Sequence, residues 1–160
     1  MQVSKAIFAA GCFWGIQSVF ESVPGVMSTI VGYTGGRVPN PTYMEVSSQR
    51  TGHAEAVEVM FDPEKVNYDR LLDIFFANHD PTTLNRQGPD TGTQYRSAIF
   101  YTDESQKQAA LKKIAALNSS NAYDKPIVTE ITAAAAFYPA EEYHQHYLYK
   151  RGQTSCGLRR

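Results

Sequence analysis

The spacing of apolar residues changes period several times along the chain, and each change marks an element. Residues 5–10 form a short apolar run closed by Gly11, which predicts a buried strand. Trp14, Ile16, Val19, Phe20 and Val23 then fall on one wide face, predicting a helix over residues 12–23 that Pro24-Gly25 ends. Val26, Ile30 and Val31 mark a strand over residues 26–33. The clearest strand is residues 54–61, where Val57, Val59 and Phe61 alternate with Glu58 and Met60. Leu71, Leu72, Phe75 and Phe76 predict a helix over 67–78, and residues 95–101 read as another strand. Asp103 is placed to cap a helix over 104–117. A strand over 127–132 and a helix over 141–149 complete the pattern. Two long polar stretches, 34–53 and 79–94, are rich in Gly and Pro and read as loops; loops of this length usually carry function.

The order is βα-ββ-αβ followed by an extra strand and helix. It predicts an α+β fold: a two-layer α/β sandwich with a ferredoxin-like βαββαβ core and C-terminal additions. The 160 residues fit a single domain, 1–160, in which 150–160 is expected to be a polar, mobile tail.

Composition narrows the possible functions. The hydrophobic fraction of 42% and charged fraction of 19% argue against disorder. A net charge of −1 with no basic stripe argues against nucleic acid or an acidic membrane as the main partner. No stretch approaches the roughly 18 apolar residues of a membrane span. Residues 1–10 lack the basic start and apolar run of a secretory leader, so a cytoplasmic protein is expected. Only two cysteines occur, Cys12 and Cys156. By count they could be a redox pair, a structural bridge or two unrelated thiols.

Gly11-Cys12-Phe13-Trp14-Gly15 lies where a strand gives way to a helix. A cysteine in the first helical turn meets free backbone N–H groups and the positive end of the helix dipole, which favour the thiolate and should lower its pKa below the free-thiol value of ~8.5. The flanking glycines leave the sulfur open to a substrate. The same residues could also hold a buried, inert core thiol.

Gly11–Gly15 resembles the signature of A-type peptide-methionine sulfoxide reductases. Further matches follow in family order and cover nearly the whole chain: Val31-Gly32-Tyr33 with Gly35-Gly36, Asn40-Pro41-Thr42-Tyr43, Thr51-Gly52-His53-Ala54-Glu55, Asn78-His79-Asp80-Pro81-Thr82, Gly92-Thr93-Gln94-Tyr95-Arg96-Ser97, and Glu142-Tyr143-His144-Gln145. The resemblance implies Cys12 as nucleophile and Glu55 as the acid serving the sulfoxide oxygen. It implies Tyr43 and Tyr95 as phenols aimed at that oxygen, with Asp90 behind them. Phe13 and Trp14 would form the pocket for the substrate's S-methyl group and select the S epimer. The substrates it implies are oxidised proteins and peptides, and free methionine S-sulfoxide, in the repair of oxidative damage.

A sulfenic acid on Cys12 would condense with Cys156 in the tail, and thioredoxin (or dithiothreitol) would reduce the resulting disulfide. No other cofactor is implied, and a monomer is expected. The chain departs from many family members in having Ser47 and Ser48 where they carry a cysteine, and in having no cysteine beyond Cys156; a single-step reset is therefore expected. His144 and His146 lie two apart on the predicted helix, a spacing that points them apart and argues against a metal site. His53 and His79 read as braces of the loops. Two other readings stand beside the reductase. Another cysteine enzyme, such as a thiol peroxidase or a hydrolase using His53, is one. The other is a non-catalytic module that binds oxidised segments.

Overall fold

The computed structural model describes residues 3–150. It is a mixed α+β fold, as expected, built on a six-stranded sheet in the order β7-β6-β1-β3-β2-β8. The elements, in chain order, are β1 (Ser4–Ala10), α1 (Phe13–Glu21), β2 (Val26–Thr34), α2 (Tyr43–Ser47), β3 (Ala54–Phe61), α3 (Tyr68–Ala77), β4 (Arg86–Gln87), β5 (Asp90–Thr91), β6 (Ser97–Tyr101), α4 (Glu104–Ser119), β7 (Glu130–Ala133), β8 (Phe137–Pro139) and α5 (Tyr147–Lys150). Short 3-10 turns occupy Thr93–Tyr95 and Glu142–His144. β1 pairs antiparallel with β3 and β6, and β2 with β3 and β8; β7 joins β6 in parallel.

Alternation along β1 divides the core. Phe8 stacks on Phe20 of α1 at 5.1 Å and on Phe75 of α3 at 5.0 Å, so one sheet face is sealed by helices. α1 reaches it with Phe13, Ile16, Gln17 and Phe20, the three- and four-residue spacing of a single stripe. Ile7 and Ala9 point to the other face, where they join Ala54, Ala56, Ala98 and Phe100. Those side chains are small enough to let backbone approach. Gly35, at φ +88°, sits where a Cβ would lie 2.9 Å from the Phe100 ring.

The structure corrects several sequence expectations. The stretch 34–53 contains α2, and 79–94 contains the β4–β5 hairpin. The strand expected over 95–101 begins only at Ser97, because Tyr95 closes the preceding 3-10 turn. Of the strand expected over 127–132, only the end pairs. Val128 N–H goes instead to the Pro81 carbonyl, and Ile127 N–H to the Asn118 side chain.

The helix expected over 141–149 is broken. His146 adopts φ 53° and donates its N–H to Gln17 Oε1 at 2.7 Å, while the Gln145 side chain bonds both backbone groups of Val31. These tertiary bonds replace the helical ladder at that point. Among the described residues no helix is long and apolar enough to cross a membrane.

Candidate active site

Cys12 is the residue that caps α1, with extended backbone (φ −57°, ψ 122°), one position earlier than the first-turn placement expected. Gly11 before it takes φ +88° to turn the chain off β1; a Cβ there would meet the Gln87 side chain at 2.8 Å. The thiol is partly exposed and opens onto a cleft of about 740 Å³ whose walls include His79, Gln87 and Asp90.

Glu55 is the second residue of β3, opposite Tyr33 of β2. Its side chain is 1% exposed. Oε1 accepts the Phe13 N–H at 3.2 Å, one of the free N–H groups at the start of α1. Oε2 is buried and has no hydrogen-bond partner among the described residues. Burial pushes the carboxyl up to about 8, against the pull of the Phe13 N–H and with help from the nearby Asp90 charge. Glu55 is therefore a carboxylic acid at neutral pH, able to donate a proton. Asp90, at the start of β5, is itself raised by burial.

Tyr43 and Tyr95 come from α2 and from the turn after β5, and both face the same groups. The Tyr43 hydroxyl is raised by burial and then by Glu55 and Cys12, while the Ser47 and Tyr95 hydroxyls draw it down. Tyr95 is raised well above the ordinary phenol value by burial and then by Glu55, Tyr43, Asp90 and Cys12. The fold thus brings together Cys12, Glu55, Tyr43, Tyr95 and Asp90, drawn from five separate segments. Both phenols feel the charge of Glu55 and Cys12, and each stays protonated as a hydrogen-bond donor.

Aromatic rings wall the other side. Phe13 is 1% exposed, with its ring 5.7 Å from Tyr33 and 5.2 Å from His144. Trp14 stacks on Tyr147 at 3.8 Å and donates its indole N–H to His144 Nδ1 at 3.0 Å. Cys156 lies outside the described residues. His53 and His79 brace loops: His53 accepts the Gly36 N–H and donates to the Val38 carbonyl, and His79 spans the Phe75 carbonyl and the Ser97 hydroxyl. Among the described residues no group of three or more His, Cys, Asp or Glu could hold a metal ion.

Three residues around this site were given no role in it from the sequence. Glu141 accepts the Tyr33 hydroxyl and the Tyr43 backbone N–H, each at 2.9 Å, and its carboxyl is held below the usual range by the hydrogen bonds it accepts, which outweigh burial. Tyr33 had read as a strand residue in a family-matching segment, with no role of its own. His144 accepts from Trp14 and packs its ring 4.6 Å from Tyr43. A glutamate opening a predicted helix looks like ordinary dipole compensation, so Glu141 gave no separate signal.

A thiol at a helix start, beside a protonated carboxylic acid and two phenols, is the equipment of a thiol oxidoreductase. The sequence model for the family described as peptide methionine sulfoxide reductase matches residues 4–160, and the chain belongs to that family. It is 57% identical to peptide methionine sulfoxide reductase MsrA of Geobacter sulfurreducens, over 96% of this chain and 95% of that one. Among solved structures, Mxr1 of Saccharomyces cerevisiae in reduced form superposes with a TM-score of 0.91 at 33% identity, covering 99% of this chain and 92% of that one. Mxr1 in complex with Trx2 matches with a TM-score of 0.65 at 24% identity, over 91% and 85% of the two chains.

Proposed function

We propose that this oxidoreductase converts methionine S-sulfoxide, in oxidised proteins and peptides and as the free amino acid, to methionine. The observation that carries the reading is the buried Glu55 carboxyl, held protonated with one oxygen unpartnered, beside the turn that presents Cys12. A sulfoxide oxygen leaves only with protons or strong hydrogen bonds. Glu55 supplies the proton, and the Tyr43 and Tyr95 hydroxyls hold the oxygen, with Asp90 behind them. The helix start favours the Cys12 thiolate, which attacks the sulfoxide sulfur. With the Glu55 proton on the oxygen, Cys12 is bonded to the methionine sulfur; that S–S bond and the methionine S–O bond then break as the hydroxyl passes to the Cys12 sulfur, so methionine departs and Cys12 carries the oxygen as a sulfenic acid.

Phe13 and Trp14 take the S-methyl group. The opposite epimer would push its oxygen against aromatic carbon, where a polar atom without a partner is costly. Cys156, which lies outside the described residues, then condenses with the sulfenic acid, releasing water and forming a disulfide. A thioredoxin dithiol reduces that bond by exchange and is itself oxidised. The solved complex of Mxr1 with Trx2 supports a reductant of this kind.

We also read strands β6-β1-β3-β2, antiparallel throughout with α1 and α3 as crossovers, as a ferredoxin-like core within one domain. The protein is read as a cytoplasmic monomer serving protein repair, with neither nucleic acid nor membrane as partner.

The test is to incubate the chain with a methionine S-sulfoxide peptide and dithiothreitol and count the methionine formed. Turnover is expected in the wild type and none in Cys12→Ser. Cys156→Ser should complete a first turnover yet fail to cycle with thioredoxin. Consumption of hydroperoxide with the sulfoxide untouched would replace this reading with a thiol peroxidase.

A further inference from the structure

Tyr43 reaches the site from a weak support. It is the first residue of α2, a helix of five residues inside a long loop, too short to hold its own position. Glu55, by contrast, stands on a central strand. For oxygen transfer the two must share one geometry, so something must register the loop against the sheet.

We infer that Glu141 is a positioning residue that ties Tyr43 to β2, the strand paired with the one carrying the acid. Its Oε1 accepts the Tyr33 hydroxyl at 2.9 Å, and its Oε2 accepts the backbone N–H of Tyr43 at 2.9 Å. Tyr33 is fully buried and lies directly across the sheet from Glu55. One carboxylate therefore links the residue opposite the acid to the residue that bears the phenol. The N–H it accepts is one that a helix start leaves without an internal partner. The Glu141 carbonyl also accepts the His144 N–H at 2.9 Å, closing the turn that presents His144 to the Trp14 indole. The same turn thus fixes both the phenol and the methyl pocket.

The inference rests on the reductase reading, and the experiment separates the two. If wild-type protein forms no methionine from the sulfoxide peptide, the functional reading fails; the positioning role is judged from variants of an active wild type.

Glu141→Ala removes both bonds and should lower kcat by about tenfold or more, as misplacement of a reacting group by about 1 Å does. KM should move much less, because Phe13 and Trp14 bind the methyl group. Alkylation of Cys12 by iodoacetamide needs no oxygen donor and should keep its rate. Glu141→Gln can still accept the Tyr43 N–H and can donate to the Tyr33 oxygen, so it should stay within about threefold of wild type. The decisive measurement is a cycle with Tyr43→Phe: if Glu141 acts through Tyr43, the alanine variant should lose little further activity in the phenylalanine background.

An undiminished kcat in Glu141→Ala would overturn the inference. So would the same fold-loss in both backgrounds, or a glutamine variant as slow as the alanine one. If Glu141→Ala does not fold, Tyr33→Phe carries the same cycle through the other end of the bridge. A smaller loss that vanishes beside Tyr43→Phe supports the inference, and an additive loss or none overturns it.

Discussion

At the scale of single residues, the site turns on where protons sit. Glu55 is raised to about 8 by burial, so its folded-state pKa exceeds its unfolded value of about 4.3. It stabilises the fold fully below that unfolded value, and the stabilisation is lost as pH rises toward 8. Glu55→Gln removes this titration while its amide oxygen can still accept the Phe13 N–H. The variant should therefore melt higher than wild type at pH 8, with a gap that opens from about pH 5 and levels off above 8. The same change removes the proton donor, and sulfoxide reduction should fall by about 10²–10⁴-fold, the usual worth of a positioned acid. In wild type the rate should decline above pH 8 as the acid ionises. Thermal melts and single-turnover rates across pH 5–9 check both halves. A variant that is neither more stable nor slower would mean that Glu55 is ionised at neutrality and gives up no proton.

At the scale of elements, function depends on loops docked against strands. The stretch that carries Tyr43 is pinned where Gly36 passes the segment 51–53 that leads into β3: its N–H goes to His53 Nδ1 at 3.0 Å, and the next N–H, of Arg37, to the Thr51 carbonyl at 2.8 Å. A Cβ on Gly36 would lie 2.4 Å from both His53 N and Thr51 O, which are backbone and cannot swing aside. Gly36→Ala should cost about 1–3 kcal/mol, as overpacking does, and lower the melting temperature by about 2–4 °C per kcal/mol in a domain of this size. It should also lower kcat through Tyr43, whereas Cys12 alkylation should change little. This explains what was legible beforehand. β3 and α1 announced themselves because buried faces impose a period on Val57, Val59 and Phe61, and on Ile16 and Phe20. α2 did not, because only Val46 of its five residues is buried. Its one sequence signal was the capping box from Thr42 to Glu45, which the structure forms with both bonds. β8 was equally silent, a three-residue edge whose partner β2 lies a hundred positions upstream. Cys12 stood out first from its place at a strand-to-helix turn, but Glu55, Tyr43 and Tyr95 were named through family resemblance, since a lone loop tyrosine or strand-end glutamate carries no pattern of its own.

At the scale of the whole molecule, the site is closed by the two ends of the described chain. α1 brings Cys12 and Trp14; the segment from β8 to α5 returns across β2 and holds Trp14 through His144 and Tyr147. This closure depends on His144 being neutral. Its Nδ1 accepts the indole N–H, so the ring proton sits on Nε2, and protonation would set one N–H against another. Burial lowers the His144 pKa, with Glu141 opposing, so the neutral form is the folded one. A histidine depressed in this way stabilises the fold fully above its unfolded value of about 6.5, and the stabilisation is lost as pH falls through the lower folded value. Trp14 is the only tryptophan in the sequence, so its emission reports this contact directly. The emission should hold steady from pH 8 to 6.5 and then shift as acidification breaks the bond, before the far-ultraviolet circular dichroism of the sheet changes. In His144→Asn, where a neutral amide oxygen can accept the indole, that early shift should be absent. A wild-type emission that stays constant until the protein unfolds would mean that the indole is held by Tyr147 stacking alone, and that the return of the chain over α1 closes the pocket without the histidine's proton state.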